Sequence, residues 1–294
     1  QATAALISIF AAVTASSLDA GAVRSFRAAQ NELIALGAAT NRGQVASTTQ
    51  RAAAVRLIHE LESSPMATGN PGLLFGDWKL VYATEPAYRA SPFFSAFRKL
   101  ASGMEASVTP QNAASTSLAD SIFAVTDGIP FKEVGVARQL ITPTRLVSQV
   151  ELFVTVFDAL LPRASSLMTS TAELQSPIAE RDAMPLSTRL RVKKTQVLRS
   201  SISRVLAPVL SIDDIIFPTA DVFERARPGS ADIKLLTSVL AGSDPNGGEL
   251  SSVDTSRVPD LRISRYEPGG GTFVWVRCGP DDDPIVMPPE DTAQ

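Results

Sequence analysis

The sequence predicts a mainly β protein, an antiparallel barrel preceded by an N-terminal helical segment. Three observations carry that reading. Gly76-Asp77-Trp78-Lys79-Leu80-Val81-Tyr82-Ala83-Thr84 alternates, with Trp78, Leu80, Tyr82 and Thr84 expected on one strand face and Lys79, Val81 and Ala83 on the other. Almost 180 residues later, Asp260–Arg265, a Gly269-Gly270-Gly271 turn and Thr272–Arg277 read as a closing hairpin. Between them lie short runs with the same two-residue period, whereas helical spacing dominates only ahead of residue 65.

The elements follow in order. Residues 1–22 form an apolar extension around Leu6-Ile7-Ser8-Ile9-Phe10-Ala11-Ala12-Val13, too short to span a bilayer and expected to pack on the protein, a partner or a membrane surface. Residues 23–65 read as two helices. The first carries Val23, Phe26, Leu33, Ile34 and Leu36 and is expected to end at Gly37. The second, Ser47 to Glu62, places Val55, Ile58 and Leu61 on one face with Leu57 beside them, and Ser63-Ser64-Pro65 stops it. His59 lies beside this stripe and reads as structural or exposed.

Residues 70–278 are the expected barrel. Phe93, Phe94 and Phe97, with Arg98 and Lys99, form a segment read either as a short helix lidding the core or as an amphipathic lip for lipid or ligand. Residues 101–119 read as a loop. Candidate strands are Ser121–Val125, Val134–Ile141, Leu146–Phe157, Leu167–Leu174, Arg189–Leu198 and Ile233–Leu240. The third turns from amphipathic to apolar on both faces at Leu152 and Val154, as a covered or cavity-lining barrel strand does. In Arg189–Leu198, Leu190 and Val192 are expected inside, and Arg189, Arg191, Lys193 and Thr195 outside. The apolar stretch near 202–217 reads as an insertion, and 279–294 as an acidic, Pro-rich tail.

Composition narrows the function. The chain has 294 residues, 45% of them hydrophobic and 19% charged, with a net charge of -3. No global field favours nucleic acid, and the basic run from Arg189 to Arg204 lacks the interleaved aromatics of a stacking platform. That run reads as a solvated face or as attraction to anionic headgroups. One cysteine, Cys278, excludes an internal disulfide, and one histidine, His59, excludes most histidine metal sites. No G-x-S-x-G motif is present, and Glu133, Glu151 and Glu173 fall on different strands, so the expectation is a non-enzyme with no required cofactor. A chain that begins at Gln1 without Met is expected to have lost a targeting peptide.

A Gly two residues ahead of a Trp that plugs a barrel end is typical of lipocalin-like barrels. The opening "W-x-L-x-Y-x-T" strand and the closing "D-L-R-I-S-R…G-G…F-V" hairpin together resemble the plastid lipid-associated protein family, also called plastoglobulins or fibrillins. Asn41-Arg42-Gly43, the "L-I-x-E-L-E" end of the second helix and Ser91-Pro92-Phe93 are similar to that family too. The resemblance spans about residues 23–277, tight at both ends and loose in the middle.

It implies a lipocalin-like barrel at thylakoids or plastoglobules that binds or sequesters isoprenoids, carotenoids or other lipids, with lipid, carotenoid or chlorophyll as bound molecules. It also implies that Arg262 or Arg265 packs over Trp78. The candidate ligand-binding residues are Trp78, Leu80, Tyr82, Phe93, Phe94, Leu152, Val154 and Arg262. The apolar N-terminal extension, the apolar segment near 202–217 and the acidic tail are more than a free barrel needs, and they support an alternative partner, a photosystem or light-harvesting complex on which the chain docks as a structural subunit.

Overall fold

The computed structural model describes residues 21–105 (apart from 22, 65 and 69), 132–154, 164–175, 185–201, 216–241 and 259–288 (apart from 268). The expected strand Ser121–Val125, the extension 1–20, most of the 202–217 segment and the end of the acidic tail lie outside the described residues.

The helices are α1 (23–39), α2 (Thr48–Glu62), α3 (Pro92–Glu105) and α4 (Thr219–Ala226). The strands are β1 (Ala67–Thr68), β2 (Gly76–Ala83), β3 (Lys132–Ile141), β4 (Arg145–Val154) and β5 (Ala164–Leu174), then β6 (Leu186–Leu198), β7 (Ile216–Phe217), β8 (Asp232–Leu240), β9 (Leu261–Glu267) and β10 (Thr272–Arg277). Strands β2 to β6 pair as neighbours, β6 pairs with β8, and β8, β9 and β10 lead back to β2. Every one of these pairings is antiparallel, so eight strands close an up-and-down, lipocalin-like barrel with no free edge. The two-residue strands β1 and β7 extend β8 and β6 outside the ring.

Two apolar cores result from the alternation. Trp78, Leu80, Ile141, Leu146, Val150, Val192, Leu235, Tyr266, Phe273 and Trp275 fill the inside. Ile263, Leu261, Val274, Leu240 and Tyr82 face outward and are covered by Phe26, Ala29 and Leu33 of α1 and Leu57, Ile58 and Leu61 of α2. A face covered on its outside reads apolar on both sides, which is why β9 and β10 alternate so weakly.

Bulges re-aim three of the strands. In β2, Trp275 pairs with Leu80 and Val274 with Tyr82, so Val81 is an extra residue. Trp78 and Leu80 therefore point inward and Tyr82 outward, instead of all three sharing a face. In β6, Ala172 pairs with Val192 but Thr171 with Lys194, leaving Lys193 as the extra residue. That slip turns Thr195 inward, where it meets Ser170 at 3.1 Å, so it does not lie beside Arg189 and Arg191. A third irregularity lies between Val134 and Ala137 of β3.

The helical segment sits where its residues dictate. Ser47 caps α2 in a reciprocal box: Gln50 N donates to Ser47 Oγ at 3.2 Å and Ser47 N to Gln50 Oε1 at 2.9 Å. The buried stripe is Ala54, Leu57, Ile58 and Leu61, while Val55 is 57% exposed and does not belong to it. Helix α1 continues two residues past Gly37. A Cβ on Gly37 would stand 2.1 Å from the Val81 carbonyl oxygen, so this glycine allows helix and bulge to touch rather than ending the helix. Asn41, Arg42 and Gly43 then take φ values of 47°, 58° and 85°, and the Arg42 carbonyl accepts from Ala83 N at 3.1 Å.

Candidate ligand-binding site and lid

The barrel interior is built around Arg262, fully buried on β9. Its guanidinium carbon lies 5.3 Å from the Trp78 ring centroid and 4.7 Å from that of Trp275. Of the two arginines named above, Arg262 packs over Trp78. Arg265 faces outward and grips Glu62 of α2 with two hydrogen bonds, at 2.5 and 2.8 Å. Arg277 also packs on Trp78, its guanidinium carbon 4.4 Å from the ring centroid, and donates to the Phe75 carbonyl at 2.7 Å. The indole itself donates to the Leu74 carbonyl at 2.9 Å, so the turn Pro71–Leu74 closes this end of the barrel.

Burial lowers the Arg262 pKa to about 9, which leaves it charged at neutral pH. Its Nη2 donates to Gln139 Oε1 at 2.6 Å. Gln139 Nε2 in turn donates to Tyr266 Oη at 3.0 Å and to the Ala90 carbonyl at 2.8 Å. Burial pushes the Tyr266 hydroxyl up to about 12, so it acts only as a neutral donor and acceptor.

The chain's own segment 87–91 enters the bore from the far end. Ala87, Tyr88, Ala90 and Ser91 are buried, the Ala90 carbonyl also accepts from Tyr266 Oη at 3.1 Å, and Ser91 Oγ donates to Ser170 Oγ at 2.9 Å. Ser170 continues through Thr195 to Thr219 of α4, 3.2 Å further on. This barrel is therefore plugged by its own backbone and side chains.

Helix α3 lies over the plug as a lid. Lys99 Nζ donates to the carbonyls of Gly229 (2.7 Å) and Asp232 (2.5 Å), and Arg98 donates to the Gly269 carbonyl and pairs with Glu85 at 3.0 Å. Its three phenylalanines form an aromatic cluster. Phe93 meets Phe94 edge-on at 5.3 Å, stacks on Phe97 at 6.4 Å, and contacts Phe223 of α4 at 5.7 Å and Phe217 of β7 at 6.1 Å. The cluster then reaches the surface: Ile216 is 42%, Phe217 37% and Val222 39% exposed.

Residues 27–102 match the PAP_fibrillin family model. That is the fibrillin, or plastid lipid-associated protein, family, and the matched stretch runs from α1 through the opening strand and the plug into the lid. Neither the curated proteins nor the solved structures compared with this chain gave a match.

The candidate residues thus separate into two places. Trp78, Leu80 and Arg262 lie inside the plugged bore, with Leu152 packed against its core. Phe93 and Phe94 belong to the lid. Tyr82 is outside the barrel under α1 and α2, and Val154 ends β4 opposite Lys132 and Ala164, its side chain beyond the described residues. Sequence spacing could not place Phe217 against the lid, because that contact joins elements more than a hundred residues apart.

The cationic row of β6 is largely neutralised. Arg191 lies 3.7 Å from Asp232, and Lys193 lies 3.4 Å from Glu173. Glu151 and Glu173 alternate with inward-facing Leu152 and Ala172, and Glu133 is exposed, so these carboxylates do not converge in the bore. Among the described residues no helix is long and apolar enough to cross a membrane, and no acidic, His and Cys group is arranged for a metal.

Proposed function

We propose that this chain is a non-catalytic, plastid lipid-associated protein that holds hydrophobic molecules, isoprenoids, carotenoids or acyl lipids, against its aromatic lid rather than within its bore. The observation that carries this reading is the continuity of the lid cluster with exposed Ile216, Phe217 and Val222, set against a bore filled by Trp78, Trp275, Arg262 and the 87–91 plug. Aromatic side chains at the rim of an apolar surface suit a lipid boundary, where rings sit among acyl chains and headgroups. The fibrillin match of residues 27–102 supports the plastid setting, at thylakoids or plastoglobules.

A plugged barrel also suits the second reading, a structural subunit whose lid docks on a photosynthetic membrane complex. Gentle pull-down from thylakoids separates the two. Lipid or carotenoid recovered without stoichiometric protein supports the lipid-associated role. A stoichiometric photosystem or antenna protein, lost on Phe217→Ser, supports the docked subunit.

A further inference from the structure

We infer that the outer face of the barrel carries an anion site, for a phosphate or sulfate group, which the chain's own acidic C-terminal strap partly occupies. Residues 279–288 cross the outside of β3, β4 and β5. The strap is pinned at two points. Asp282 Oδ1 accepts from Lys79 Nζ at 3.1 Å, and Gln149 holds the Val286 peptide from both sides, accepting from its N–H at 3.0 Å and donating to its carbonyl.

Between strap and barrel lies a cleft of about 660 Å³, within the range of small-molecule sites. Three cations reach it from separate elements: Lys79 of β2, Arg138 of β3 and Arg199 just after β6. They are differently engaged. Arg138 Nη2 donates to Asp77 at 2.8 Å and to Cys278 Sγ at 3.2 Å, but its Nε is buried without an acceptor. Lys79 holds the strap. The Arg199 guanidinium has no ion pair or side-chain hydrogen bond among the described residues, and its backbone sits at φ 51°, a left-handed conformation that a non-glycine residue adopts only at a cost.

The opposing charges on the cleft are Glu151, on the barrel wall, and Asp282 and Asp283, both from the strap. With the strap seated the lining charges cancel. With it lifted, Lys79 and Arg199 lose their only opposing strap charges and face Glu151, while Arg138 keeps Asp77 and retains an unpartnered Nε. The strap's aspartates therefore stand where an external anion would be held. Such charge-assisted bonds from arginine and lysine to a phosphate or sulfate oxygen are stronger than neutral ones. Ser165 and Ser166 line the same cleft and add hydroxyl donors.

The test uses the full chain, inorganic phosphate in calorimetric titration, and flotation on vesicles with and without an anionic phospholipid. Arg199→Gln is expected to weaken binding about fivefold by removing one charge-assisted contact. Asp282→Asn is expected to tighten it by freeing Lys79. Binding of phosphate alone assigns a free anion, and Arg199-dependent binding of anionic vesicles alone assigns a lipid headgroup. Either supports the site. Binding of neither probe, or binding unchanged in both variants while their thermal unfolding matches the parent, overturns it.

Discussion

Arg262 is the residue on which the interior depends. A guanidinium between two indoles replaces lost hydration with cation–π contact and one strong hydrogen bond to Gln139, while Nε and Nη1 remain unpartnered. Replacing it by alanine opens a void between Trp78 and Trp275, and urea unfolding should show a loss of about 2–4 kcal/mol. Arg262→Lys should not rescue it, since an ammonium cannot stack flat on both rings. Cys278 offers a second test at this scale. Burial, then the nearby Asp77 charge, push its thiol up to about 11. A raised thiol pKa means that the folded state favours the protonated form, a contribution present below the unfolded value and lost as pH rises through 11. Alkylation at pH 8 should be slower in the folded chain than in urea by on the order of a hundredfold. Equal rates would show the thiol to be open.

Among the elements, the contact between α1 and the β2 bulge joins the helical segment to the barrel. Gly37→Ala places a methyl 2.1 Å from the Val81 carbonyl oxygen, so helix or strand must shift. A loss of about 1–3 kcal/mol is expected from overpacking, with hydrogen exchange faster in α1 and α2 than in β4 or β5. At the other end of this layer, Glu62→Gln removes the charge that Arg265 grips and should cost about 1 kcal/mol, since the pair is part-exposed. Both contacts show what the sequence could not display. The strand faces of Trp78, Leu80, Leu190 and Val192 were legible because alternation alone sets them. Tyr82 and Thr195 were misplaced because a one-residue bulge at Val81 or Lys193 leaves no trace in the hydrophobic pattern, yet reverses every side chain beyond it. Val55 misled similarly: its apolar side chain fits the helical period, but the barrel surface reaches only as far as Ala54, Leu57, Ile58 and Leu61.

For the whole molecule, the barrel and its opening and closing strands follow from local pattern, whereas the plug and the lid's surface cluster arise from contacts between distant segments. Period-two strands look alike in hollow and filled barrels, so only the placement of residues 87–91 distinguishes them. The central claim is that apolar ligands meet the lid and leave the bore undisturbed. Both tryptophans of the chain lie inside that bore, which makes them built-in reporters. The direct measurement is flotation on vesicles of thylakoid lipid extract mixed with bromine-labelled acyl lipid, a contact quencher, read together with tryptophan emission. Binding with emission unquenched, and lost in Phe217→Ser, is the predicted result. Quenched emission in a bound chain, unchanged by Phe217→Ser, would place the lipid in the bore and contradict the account.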